Sequence, residues 1–210
     1  MIYDITQPLL ECAVFPGDAR PEKTLVRSMD RGDEYNLTNL SLCVHNGTHA
    51  DAPLHFLREG KGIGRVALEK FIGPAYVASH EGEVTARDAE AILEKAKRAR
   101  EGAQKRILIK GKAAVTLEAA KVFAAAGIDL LGNESQTVGP EEAPMAVHLA
   151  LLASEVVLLE GVRLSAVPEG AYYLNCAPLN LGDTDGAPCR AVLLDLPSAS
   201  ALQSNSAVLS

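Results

Sequence analysis

Three of the five histidines, His45, His49 and His55, fall within eleven residues, and Asp51 lies among them. Neutral imidazoles and a carboxylate at this density form the donor set that suits Zn²⁺, and Mn²⁺ where carboxylates contribute more. A bound metal lowers the pKa of its water to near 7 and so supplies hydroxide at neutral pH. A histidine close to the metal but not ligated to it could then shuttle protons. The bland alternative is a loop of capped surface histidines with no ligand at all.

All four residues occupy odd positions, so period two would put them on one face of an extended strand. A straight strand still cannot gather them. His45 and His49 would sit roughly 13 Å apart at about 3.3 Å per residue, whereas ligand atoms must lie about 2 Å from a shared metal. The chain must bend, and Asn46-Gly47 is the pair that permits it. A helix would join 45 and 49 as i, i+4, but Asn, Gly, Asp and Pro within nine residues argue against one. Pro53 stiffens the exit toward His55.

The other candidates are weaker by pattern. His148 lies in AVHLALLAS, with Leu151 and Leu152 at i+3 and i+4, and reads more readily as a core histidine than as a ligand. Glu160 ends the apolar run VVLLE, where an acid either faces solvent or is poised in a site. His80 follows a strand without company and reads as a surface residue.

The elements that must carry these residues alternate. Thr85 with Asp88 predicts a helix start, and the pattern AEAILEKAKRA continues it to about Arg100. Thr116 starts a second helix that stops at Gly127. A third is expected after Pro140, running to about Ser154. Strands are expected at 35–44, 106–109, 129–131, 156–159, 171–176 and 191–196, with a Pro-Gly turn at Phe15-Pro16-Gly17-Asp18. Strands alternating with helices predict an α/β domain, and the turn-rich first third predicts a mixed sheet.

Composition excludes several classes. The 210 residues suit one domain, 1–210, with a sizeable core; aromatic residues are 4% with no Trp, so that core must rest on Ala, Val, Leu and Ile. The net charge is -7, and the longest basic stretch, Lys95 to Arg100, has the spacing of a solvated helix face. A nucleic-acid partner and an anionic membrane surface are therefore not expected. No apolar run of about 18 residues predicts a membrane span. The start MIYDITQPLLE lacks a signal-peptide pattern, and the four cysteines form no CxxC pair. The expectation is reduced thiols in a cytoplasmic protein. The Ser- and Ala-rich tail 198–210 reads as a loose end or an oligomer contact.

The string His45-Asn46-Gly47-Thr48-His49-Ala50-Asp51-Ala52-Pro53-Leu54-His55-Phe56 resembles the HxGTHxDxPxHF signature of the cyclase family of metal-dependent hydrolases, which includes bacterial kynurenine formamidases and isatin hydrolases. Further features agree in order along the chain. Phe15-Pro16-Gly17-Asp18 is similar to the family's N-terminal turn, His148 and Glu160 to its second ligand pair, and Pro188-Cys189-Arg190-Ala191 to its C-terminal element. The resemblance implies a swivelling β/β/α fold and two divalent metal ions per chain, Zn²⁺ or alternatively Mn²⁺. It implies that His45, His49, Asp51, His148 and Glu160 are the ligands, with Asp51 and Glu160 able to bridge. His55 becomes the proton-transferring residue, and a homo-oligomer, dimer or tetramer, is expected. The implied activity on a small molecule is hydrolysis of an amide-type C–N bond, with N-formylkynurenine the first substrate and a cyclic amide or another small carbonyl substrate the alternative. A non-catalytic metal- or ligand-binding protein on the same scaffold is the reading from another class. Two positions depart from the formamidase pattern: Phe15 stands where a Trp is expected beside an aromatic substrate, and Glu134-Ser135-Gln136-Thr137 replaces an Asp-Ser/Thr-rich loop.

Overall fold

A computed structural model describes residues 1–196. The expected roles of the tail 198–210 lie outside the described residues. In chain order the strands are β1 (Ile2–Asp4), β2 (Glu22–Arg27), β3 (Leu37–Ser41), β4 (His49–Asp51), β5 (Ile72–Ser79), β6 (Gly82–Val84), β7 (Arg106–Lys110), β8 (Ala113–Val115), β9 (Leu130–Asn133), β10 (Val157–Glu160), β11 (Gly170–Asn175), β12 (Gly186–Pro188) and β13 (Val192–Asp195). The helices are α1 (Ala86–Ala99), α2 (Leu117–Ala125) and α3 (Met145–Leu152).

Nine strands form one mixed sheet in the order β1-β13-β11-β5-β7-β9-β10-β4-β12. The centre, β5-β7-β9-β10, is parallel, and both flanks are antiparallel. The parallel strands are buried on both faces, as sheets covered on two sides are. Val77, Leu108, Leu130, Val157 and Leu159 enter one core. Their neighbours Tyr76, Ala78, Ile107, Ile109, Leu131 and Leu158 enter a second core, beneath the helices.

The first core shows that the sheet curls. It unites Leu193 of β13 with Ala187 of β12, near opposite ends of the strand order. Laid flat, those strands would stand about 34 Å apart at roughly 4.8 Å per strand. The chain passes from Pro188 to Val192 in four steps, which reach about 14 Å at most. Curled sheet around one core and helices over the outer face give the expected swivelling β/β/α layers.

Local sequence explains the helices. Thr85 and Asp88 form a reciprocal capping box at the start of α1, and Ala89, Ile92 and Ala96 make its buried stripe. Thr116 caps α2. The third helix begins at Met145, later than the sequence suggests. Pro140 and Pro144 bias the residues before them away from helical backbone, so helix can begin only after Pro144.

One further pair stands apart. β2 and β3 form an antiparallel hairpin in which every residue is exposed. Leu25, Val26, Met29, Tyr35, Leu37 and Leu40 contribute exposed apolar surface to it and its connection. The expected strand at 35–44 is thus shorter, Leu37–Ser41.

Candidate metal centre

The bend demanded by the histidine spacing lies at Gly47, whose φ is +66°. A side chain there would be strained and would meet Cys12 Cβ at 3.1 Å. Beyond the bend, β4 holds only His49, Ala50 and Asp51, inserted between β10 and β12. Alternation sends Ala50 into the inner core and turns His49 and Asp51 to the other face. The register pairs His49 with Glu160 and Asp51 with Leu158, so the ladder itself brings both acids and His49 to one face. Helix α3 crosses that face and lowers His148 onto it. Pro53–His55 then forms a 3₁₀ turn that returns His55.

The resulting cluster is tight. His45 Nδ1 lies 2.9 Å from Asp51 Oδ1, and His49 Nε2 lies 3.3 Å from the same oxygen. His49 Nε2 is 3.5 Å from Glu160 Oε2, and His148 Nε2 is 3.2 Å from Glu160 Oε1. His148 Nε2 is 3.6 Å from Asp51 Oδ2. His49, Asp51, His148 and Glu160 are all at most 3% exposed. The open choices left by the sequence resolve here: His148 and Glu160 both face the cluster rather than core or solvent.

Two sets of candidate donor atoms, each within 4.8 Å of one another, share Asp51: His49-Asp51-Glu160 and His45-Asp51-His55. Hydrogen bonding fixes how the imidazoles point. A carbonyl can only accept, so His49 donates Nδ1–H to Gly47 O (3.1 Å) and His148 donates Nδ1–H to Pro144 O (2.9 Å). Each ring therefore presents Nε2 to buried carboxylates. A lone pair facing a carboxylate requires a cation between them, either a proton or a metal.

The electrostatics of the cluster make the same demand. Burial opposes charge on His49, yet the contacts with Asp51 and Glu160 outweigh it and raise its pKa to about 10. His148 is raised against burial by Glu160, and His45 against burial by Asp51. Burial would raise Asp51, but His45 and His49 hold it well below the usual carboxylate range. One oxygen, Asp51 Oδ2, is buried without a hydrogen-bond partner. That orphan, the outward-fixed Nε2 atoms and the imidazole-carboxylate donor set all fit divalent metal.

The cluster floors a cavity of about 240 Å³, walled by Phe15, Asp18, Phe56, Gln136, Thr137 and Pro144. A larger cavity of about 550 Å³ between Gly82, Lys112 and Glu141 contains no histidine, so the chemistry belongs to the smaller one. The expected turn delivers Phe15 to the rim, with Asp18 N–H donating to Phe15 O. His55 differs from the other three histidines: burial lowers its pKa.

One close residue was not anticipated. Asp185 Oδ2 accepts from His45 Nε2 at 2.8 Å and from His55 Nδ1 at 3.3 Å. Its only sequence signal is its place three residues before Pro188, just ahead of the Pro-Cys-Arg-Ala element. Gly186, next to it, lies opposite Asp51 on β12. A Cβ there would approach Ala50 O at 2.8 Å and His45 Cε1 at 2.9 Å, so the glycine reserves the space of the imidazole.

Comparison with known proteins gives a consistent picture. The profile of the Cyclase family, described as putative cyclase, matches residues 3–140. A kynurenine formamidase of Erythrobacter litoralis (strain HTCC2594) is 31% identical over 212 residues, covering 94% of this chain and 95% of its own. A solved structure described as a potential metal-dependent hydrolase with cyclase activity superposes with a TM-score of 0.79 at 26% identity, covering 94% of this chain and 99% of its own. Isatin hydrolase A from Labrenzia aggregata, bound to benzyl benzoate, gives a TM-score of 0.80 at 20% identity over 94% of each chain. At that identity the likeness speaks for the fold alone.

Proposed function

This chain belongs to the cyclase family of metal-dependent hydrolases, and on that premise we propose that it hydrolyses an amide-type C–N bond of a small molecule, with N-formylkynurenine the first substrate to test. The observation that carries the metal chemistry is the pair of histidines whose Nδ1 atoms are spent on backbone carbonyls while Nε2 faces buried acids. The formamide substrate is supported by the likeness to the Erythrobacter formamidase, which runs almost the full length of both chains.

His45, His49, Asp51, His148 and Glu160 would hold two divalent ions, and the carboxylates of Asp51 and Glu160 each have two oxygens to offer. Zinc is the first expectation and manganese the second. A divalent metal held there would polarise a carbonyl oxygen and lower the pKa of bound water.

The protein's own groups do the rest. His55 is kept neutral by burial, so its free nitrogen accepts a proton and returns it to the leaving nitrogen. Phe15 and Phe56 line the cavity and offer ring faces to a planar acyl or aryl group. The cavity is smaller than the usual range of about 300–1,000 Å³, which favours a compact substrate.

Assembly is a homo-oligomer, dimer or tetramer. Support comes from the β2–β3 hairpin, since an isolated two-stranded hairpin is marginal in water and its exposed apolar residues need cover. All four cysteines are free, which fits the reducing cytoplasm. No helix among the described residues is long and apolar enough to cross a membrane.

The deciding experiment follows formate release from N-formylkynurenine, and ring opening of isatin as a cyclic amide, by protein loaded with zinc or manganese. Turnover of the formamide is expected. Ring opening alone moves the assignment to cyclic amides. Full metal loading with neither reaction overturns both substrate assignments and leaves another small carbonyl compound or a metal-binding role.

A further inference from the structure

We propose that Asp185 is a positioning residue for catalysis: its carboxylate fixes His55 with Nδ1 protonated and its other nitrogen free, while bracing His45 from outside the metal cluster. The inference rests on the reading of His55 as the proton-transferring residue.

The geometry is specific. One oxygen, Asp185 Oδ2, accepts from both rings, at 2.8 Å from His45 Nε2 and 3.3 Å from His55 Nδ1. The rings lie side by side, with centroids 4.1 Å apart and planes 33° from parallel. A carboxylate at neutral pH only accepts, so each imidazole must direct an N–H toward it. On His45 that leaves Nδ1 turned to Asp51, 2.9 Å away. The result is a carboxylate-histidine pairing of the kind that orients metal ligands. On His55 it leaves Nε2 as the basic atom, without a hydrogen-bond partner among the described residues. A neutral imidazole otherwise chooses its tautomer freely, and the wrong choice puts a proton where a base is needed.

The backbone holds Asp185 at this place independently of its side chain. Its carbonyl accepts from Ala52 N at 2.9 Å, and Thr184 O accepts from Ile63 N at 2.8 Å. Gly186 then begins β12. The carboxyl group is thus delivered by a strand entry, and its side chain is 43% exposed. Removing it should not unfold the protein.

The test uses the zinc-loaded protein labelled with ¹⁵N-histidine. Ring-nitrogen shifts report the His55 tautomer without any substrate, with His55→Ala serving to assign the signal. In the parent protein His55 should be protonated at Nδ1. In Asp185→Ala it should revert to a mixture dominated by the Nε2–H form. At saturating zinc, kcat should fall roughly 10- to 100-fold, the usual effect of losing such an outer partner, with KM little changed. Asp185→Asn keeps an acceptor oxygen and should restore part of both signals. An unchanged tautomer, or wild-type kcat in Asp185→Ala, overturns the proposal. If the tautomer shifts in Asp185→Ala while His55→Ala turns over normally, the Asp185–His55 contact stands and the assignment of His55 as base is what fails.

Discussion

Replacing Gly186 with alanine tests the site without removing any ligand. The added methyl would sit 2.8 Å from Ala50 O and 2.9 Å from His45 Cε1, against the roughly 3.4 Å of an ordinary contact. Ala50 belongs to β4, held between β10 and β12, so its carbonyl has little room to move. His45 must therefore yield by about half an ångström, or the β4–β12 pairing must open. Overpacking of this kind costs about 1–3 kcal/mol, which for a chain of this size lowers the melting temperature by roughly 2–12 °C. The displacement of His45 away from Asp51 matters more, because misplacement of about 1 Å can cost on the order of 100-fold in rate. Calorimetric melting together with zinc titration and kcat at saturating zinc provides the assay. The expected result is a modest melting shift with a disproportionate loss of zinc affinity and turnover. A Gly186→Ala protein that binds zinc like the parent would refute the argument that this glycine reserves the imidazole's space.

Three other outcomes follow from the same structure. His55→Ala should retain its metal and lose about 10²- to 10⁴-fold in kcat, whereas Asp51→Ala should lose both metal and activity; metal analysis beside kinetics separates them. Chelation should lower the melting temperature, since metal present at 100 times its Kd stabilises by about 2.7 kcal/mol, equivalent to roughly 5–11 °C here, and re-addition of zinc should reverse it. Glu169 accepts from Tyr76 Oη, Ser79 N and Lys95 Nζ; burial would raise its pKa, but these contacts lower it below 4.5. A depressed carboxyl pKa stabilises above the unfolded value and loses that contribution as pH falls through the folded one. The melting deficit of Glu169→Gln should therefore be full at pH 7 and shrink as the pH falls below 4.5 and through the lowered folded value.

Much of the site was legible because its first half is local in sequence. The odd-numbered spacing of His45, His49, Asp51 and His55 required a bend, and Gly47 supplies it. The capping pair Thr85 and Asp88 placed α1 to within a residue. His148 was not legible from pattern, because α3 is apolar on nearly every side and no stripe marks the face that meets the acids. Glu160 stayed undecided for a similar reason: whether a strand-end acid meets solvent or a site depends on the neighbouring strand, and β4 lies about a hundred residues earlier. Asp185 was missed because β12 joins the cluster only by pairing with β4, a contact between distant segments that no periodicity announces. The strand expected at 35–44 is shorter, Leu37–Ser41, and pairs only with β2, so no buried neighbour extends it.

The position of β4 also sets an order of events during synthesis. Its three residues sit between β10 and β12, and both of those strands are made long after it. At about 5–20 residues per second, the ribosome needs roughly 5–20 s to extend the nascent chain from Asp51 to β10. Asp185 and β12 follow later still. Throughout that interval the histidine-rich segment is without the hydrogen-bonding edges that will enclose it. A centre drawing on both halves is therefore finished only once β10 has been made and has paired with β4.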